Sequence, residues 1–91
     1  MNVYFSKTAR KEYESWGKSN PKTTDKINDL IDSILEYGFL HGIGHPEQLR
    51  NYKDPVRFSR HINQSDRLVY CHCNDGADLL ILSCRGHYED K

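Results

Sequence analysis

No apolar run in this chain approaches the length needed to cross a bilayer, so a membrane-spanning segment is not expected. Cysteine is scarce and odd in number, at Cys71, Cys73 and Cys84. Without a secretory leader, that count argues against a disulfide framework, and the protein is expected to be soluble, reduced and cytoplasmic. Charge of one sign is also missing. The 13 Lys and Arg balance the 13 Asp and Glu, so composition gives none of the basic excess that usually marks a nucleic-acid-binding domain. Gly42-Ile43-Gly44 is too short for a phosphate loop, and no lysine-serine or lysine-threonine pair follows it. Internal repeats, linkers and low-complexity tracts are absent too. The 91 residues fit one domain, 1–91, with a small core.

What is present is unevenly distributed. Arg50, Lys53, Arg57, Arg60, Arg67 and Arg85 lie in the second half, whereas Glu12, Glu14, Asp25, Asp29, Asp32 and Glu36 lie in the first. A basic face under a neutral total fits this split. Scattered solvated charge fits it as well.

The hydrophobic pattern reads as an α+β domain. Val3, Tyr4 and Phe5 suit a short first strand, after which Ser6 can cap a helix with Ala9, Tyr13 and Trp16 on one stripe. Gly17 and Ser19 mark its end. Asn20-Pro21 opens a second helix, whose stripe is Ile27, Leu30, Ile31, Ile34 and Leu35 and whose stop is Gly38. The stretch 41–55 is a punctuated connection with one short strand near Leu49. Three strands follow, at 56–62, 67–73 and 78–84, joined by turn-like Asn63-Gln64-Ser65-Asp66 and Asn74-Asp75-Gly76. A two-helix hairpin packed on a small antiparallel sheet is the expected architecture.

The chemistry-bearing residues gather in the second half: Glu47, Arg60, His61, Arg67, Arg85, His87 and Tyr88. Cleaving RNA without a metal needs a base for the 2′-hydroxyl, cations for the phosphorus and an acid for the leaving oxygen. A carboxylate, several arginines, a histidine and a tyrosine suffice for that, though each one singly is as readily surface decoration. Zinc is the chemical competitor. On a strand, Cys71 and Cys73 share one face and His72 takes the other, the spacing is not that of a zinc knuckle, and there is no second cysteine pair. Neither a metal nor a cofactor is expected.

Four segments carry a resemblance: 42–49 (GIGHPEQL), 58–62 (FSRHI), 66–70 (DRLVY) and 84–88 (CRGHY). In this order and spacing they resemble the YoeB (Txe) branch of the RelE toxin superfamily, with its G-x-G-x-P-E-x-L loop, W-S-R-R-I and H-R-L-V-Y strands and terminal His-Tyr. The resemblance implies a microbial-ribonuclease-like α+β fold and a metal-independent endoribonuclease that cuts mRNA in the ribosomal A site. Glu47 would then be the general base, Arg67 the stabiliser of the scissile phosphate, His87 the general acid, and Tyr88 a positioning group. Arg60 would contact the RNA backbone, with Arg50, His61 and Arg85 as further RNA-binding residues. The implied partners are the ribosome, mRNA and a YefM-like antitoxin, with operator DNA reached only through the antitoxin and room for a homodimer within the toxin–antitoxin complex.

The chain departs from the family at three places. His61 stands in the arginine doublet and Phe58 in place of the tryptophan. His45 replaces the usual lysine, and Glu89, Asp90 and Lys91 follow the terminal pair. Two other functions suit the same fold: a ParE-like poison of DNA gyrase, which does not need the Glu47, His87 and Tyr88 set, and a catalytically inactive antitoxin-binding module or corepressor.

Overall fold

The computed structural model describes residues 1–86. The elements run β1 (Val3–Phe5), α1 (Lys7–Ser19), α2 (Pro21–Tyr37), β2 (Glu47–Lys53), β3 (Val56–His61), β4 (Arg67–Cys73) and β5 (Asp78–Ser83). Ser6 caps α1 as expected: its Oγ accepts from the Ala9 amide at 3.0 Å and donates to the Leu82 carbonyl at 2.8 Å. Gly17 does not end that helix, which continues to Ser19. Pro21 opens α2 from Asn20, whose side chain makes no capping bond, and Gly38 closes it at φ 96°.

The sheet order is β1-β5-β4-β3-β2. The last four strands form the expected antiparallel meander. β1 instead joins β5 in parallel, Val3 opposite Leu79, so the sheet is mixed. The expected strand near Leu49 is β2, and it occupies the edge.

Both helices lie on one face. Ala9 and Trp16 from α1 and Ile27, Leu30, Ile31 and Ile34 from α2 pack on Phe58, Leu68, Tyr70, Leu79 and Ile81 in one core. Leu35, expected in the same stripe, is 42% exposed at its rim. Each fully buried aliphatic side chain contributes roughly 1.5–3 kcal/mol. Leu49, Val69 and Cys71 are also buried but stand outside this core, because the pleat turns them to the opposite face.

Arg60 has no exposed surface, although among the described residues no carboxylate bonds to it. Its Nε donates to Tyr70 Oη at 2.9 Å, Nη1 to Ser33 Oγ at 3.0 Å and Ile43 O at 2.9 Å, and Nη2 to Gly38 O at 2.7 Å and His41 O at 2.6 Å. These acceptors use the full set of donors a guanidinium has. Gly38 O lies at the C-terminal end of α2, where the helix dipole favours a cation. Tyr70 Oη in turn donates to Phe39 O at 2.7 Å, so the loop after α2 is wound around one side chain. Burial is the leading cause that raises the Tyr70 hydroxyl pKa above its ordinary value.

Two glycines make the winding feasible. Gly42 sits at φ 109°, and a Cβ there would collide with Ser33 Oγ. Gly44 sits at φ 88°, where a Cβ would come within 2.6 Å of Leu30 Cδ2.

Arg60→Met should therefore cost about 3–5 kcal/mol, because it strands several buried acceptors at once. Urea denaturation measures it; a loss below about 1 kcal/mol would mean that the loop holds itself together.

Candidate active site

Opposed residues in an antiparallel pair share a face, so the strand register builds the site. On the face away from the helices, Glu47 of β2 stands across from Ser59 of β3, Ser59 across from Val69 of β4, and Val69 across from Ser83 of β5. One step along the sheet, His61 stands across from Arg67. Glu47, His61 and Arg67 thus come from three successive strands onto one surface.

Glu47 is exposed at the start of β2, delivered there by the loop that Arg60 organises. Arg67 is only 9% exposed. Its Nη1 donates to Asn63 O at 2.8 Å and Asp66 O at 3.1 Å. The expected turn is an Asx turn: Asn63 Oδ1 accepts from the Ser65 and Asp66 amides at 2.7 and 2.8 Å. The turn therefore fixes the guanidinium by one nitrogen. The His61 ring lies 5.3 Å from that of His45, and its backbone amide donates to Gly44 O at 2.7 Å.

The chain comes back to this corner through Gly86. Its carbonyl accepts from the Arg67 amide at 3.0 Å, and its own amide donates to Asp66 Oδ1 at 2.7 Å. His87 and Tyr88, the expected acid and positioning group, lie outside the described residues.

One expected RNA contact does not hold. Arg60 points into the helix side, with its donors used up on Tyr70, Ser33 and loop carbonyls, and has no surface to offer a backbone phosphate. Arg85 lies on α1: its guanidinium stacks 3.9 Å from the Trp16 ring centroid, and Nη2 donates to Ser15 Oγ at 3.1 Å. Arg50 is exposed on the edge strand β2.

The cysteines do not converge either. Cys84 faces α1, with Sγ 3.6 Å from Ala9 O, while Cys71 and Cys73 alternate with His72 on the other side of the sheet. His72 stacks on Phe39 at 3.8 Å. Among the described residues no three His, Cys, Asp or Glu side chains are grouped to hold a metal. Burial, and after it the Glu12 charge, pushes the Cys84 thiol up to about 12. Burial foremost also raises the Cys71 thiol. No helix among the described residues is long and apolar enough to cross a membrane.

Sequence reasoning missed Ser59, Arg57 and Tyr52. Alternation along 57–61 carries the signal, since Arg57, Ser59 and His61 must share the face that Phe58 and Arg60 do not.

The family described as the YoeB-like toxin of bacterial type II toxin–antitoxin systems matches residues 5–88. The chain belongs to this family. It is 37% identical to Toxin YoeB of Synechocystis over 89 residues, covering 98% of this chain and 99% of the relative. The YoeB dimer from Staphylococcus aureus superposes with a TM-score of 0.86 at 38% identity, covering 97% of this chain and 98% of that one. The heterotetrameric YoeB–YefM complex from the same organism gives 0.83, with the same coverage and identity. The protein is thus a toxin of a type II toxin–antitoxin system.

Two outcomes follow from the thiols. Cys73, the partly exposed one, should react with a maleimide in the native state, while Cys71 and Cys84 react only in denaturant. The folded Cys84 pKa stands above its ordinary 9.0, so its contribution to stability is complete below pH 9 and is lost as pH rises toward 12. The drop in denaturation midpoint over that window should be smaller in Cys84→Ala; equal drops would show that Cys84 does not contribute.

Proposed function

We propose that the protein is a metal-independent endoribonuclease that cuts mRNA in the ribosomal A site, with Glu47, Arg67, His87 and Tyr88 as its catalytic residues. The observation that supports this most is the convergence of Glu47, His61 and Arg67 from β2, β3 and β4 on the face that the helices leave uncovered. Family membership supports it too, and so does the hydrogen bonding of Gly86, which precedes His87 in sequence, to the Arg67 backbone.

In this reading Glu47 takes the proton from a 2′-hydroxyl. The 2′-oxygen attacks the adjacent phosphorus, and a P–O2′ bond forms as the P–O5′ bond breaks. His87 gives a proton to the departing 5′-oxygen, and Tyr88 positions the phosphate. The products are a 2′,3′-cyclic phosphate and a 5′-hydroxyl. Arg67 stabilises the charge on the phosphoryl oxygens; Nη1 is engaged by the turn, and Nε and Nη2 carry no bond to a described residue. His61 and Arg50 serve as backbone contacts. The neutral total charge suits an enzyme whose substrate is positioned by the ribosome.

We further infer a cytoplasmic protein inhibited by a cognate YefM-like antitoxin, the partner named in the Staphylococcus aureus complex. The exposed Tyr37, Leu40 and Ile43 near the loop give such a partner apolar contact area.

In a cell-free translation reaction, primer extension should find new mRNA ends inside translated codons. They should appear only with ribosomes present. Glu47→Ala should slow cleavage by about 10²–10⁴-fold, the scale of a lost acid–base group, and His87→Gln should abolish it without disturbing the fold. Intact mRNA with wild-type protein would contradict the nuclease reading and favour gyrase inhibition or an inactive module.

A further inference from the structure

Beside the Glu47–Ser59–Val69–Ser83 row lies a groove of about 410 Å³. Its floor is the small apolar layer on the sheet face opposite the helices: Leu49, Val69 and Leu82. Its walls are Arg57 and Tyr52 on one side and the start of α1, Ser6 and Thr8, on the other. The Arg57 guanidinium lies over the Tyr52 ring, 4.4 Å from its centroid.

The groove has an excess of donors. Arg57 Nε is buried and has no hydrogen-bond partner among the described residues. A buried N–H without an acceptor is costly, and such orphans in a folded protein call for an explanation. No Asp or Glu lines the groove to supply that acceptor. The first turn of α1 adds amides directed away from the helix and the positive end of its dipole. An apolar floor under a cationic, donor-rich wall suits a ligand with a flat apolar part and an anionic part. The volume is at the small end of ligand sites, enough for one such unit.

We propose that this groove is a subsite for the nucleotide next to the scissile one, with its phosphate on Arg57 and its base on the Leu49–Val69–Leu82 floor. The proposal rests on the ribonuclease reading. It adds that Arg57 is a substrate-binding residue in a groove continuous with the Glu47 row. RNA is favoured over an antitoxin peptide because the unmet group is a cationic donor, which a phosphodiester satisfies at every nucleotide.

Two measurements on the full-length chain test this. In the first, single-turnover cleavage of mRNA on programmed ribosomes is followed against protein concentration for wild type, Arg57→Gln and Arg57→Lys. Arg57→Gln should raise the half-saturating concentration about tenfold while lowering the maximal rate less than threefold. It should also reduce the slope of log affinity against log salt by about 0.7, the value for one phosphate on a single strand. Arg57→Lys should recover part of both. In the second, the Arg57 Nε–Hε resonance is followed during titration with a 2′-deoxy dinucleotide, and a saturable shift is expected.

An unchanged half-saturating concentration in Arg57→Gln overturns the subsite, whether or not the dinucleotide shifts the resonance. If that variant instead loses affinity only for the antitoxin, the groove is a peptide dock and the proposal is overturned in that direction. If wild type does not cleave but the resonance shifts, the groove binds nucleotides and it is the ribonuclease reading that fails. No cleavage and no shift overturns both.

Discussion

The structure turns on one buried cation. Arg60 lies in the interior with no carboxylate bonded to it among the described residues, its charge spread over the Tyr70 and Ser33 hydroxyls and the carbonyls of Gly38, His41 and Ile43. Removing a guanidinium from water is expensive unless each donor is satisfied, and here every acceptor but two comes from the loop backbone. The cost of a missing acceptor therefore falls on the loop conformation. The requirement selects glycine at 42 and 44 and seats the loop carbonyls before β2 begins. Glu47 follows directly, so a side chain that never reaches the surface sets where the exposed carboxylate stands.

The two faces of the sheet then divide the work. The helix side holds the core that a chain of this size needs for stability. The other side carries only a thin apolar layer, Leu49, Val69 and Cys71, and is left for polar side chains. Its positions are tied by backbone geometry: Glu47, Ser59, Val69 and Ser83 follow from strand register, and Arg67 from the Asx turn at Asn63. Gly86 closes the same corner by bonding to Arg67 and Asp66. A site built on strands and tight turns is held more rigidly than one built on free loops.

Much of this was legible in the sequence, for physical reasons. The α2 stripe repeats over more than two turns, in a helix bracketed by proline and glycine, which makes it hard to mistake. The 56–83 meander is spelled by β-branched and aromatic runs between Asn-rich turns. The parallel β1–β5 pairing was not legible, because it joins the two ends of the chain across both helices and three strands and leaves no local mark. Within the site, Glu47, His61 and Arg67 were read as residues that could meet, and the strand register sets all three on one face. Arg60 was read with them, although adjacent residues on a strand point to opposite faces, so that Arg60 and His61 could not both reach the surface where His61 meets Arg67. Arg85 packs on Trp16 and Ser15, partners distant in sequence that only the packing of α1 reveals.

The proposal that unifies these features is acid–base cleavage through the 2′-hydroxyl, with Glu47 and Arg67 on the face opposite the helices. The chemistry of the cut ends tests it most directly. Mass spectrometry of mRNA fragments from a translating reaction should find a 2′,3′-cyclic phosphate or its 3′-phosphate hydrolysis product upstream of the cut and a 5′-hydroxyl downstream. A 3′-hydroxyl with a 5′-phosphate would mean that the 2′-oxygen is not the nucleophile, and the roles given to Glu47 and His87 would be wrong.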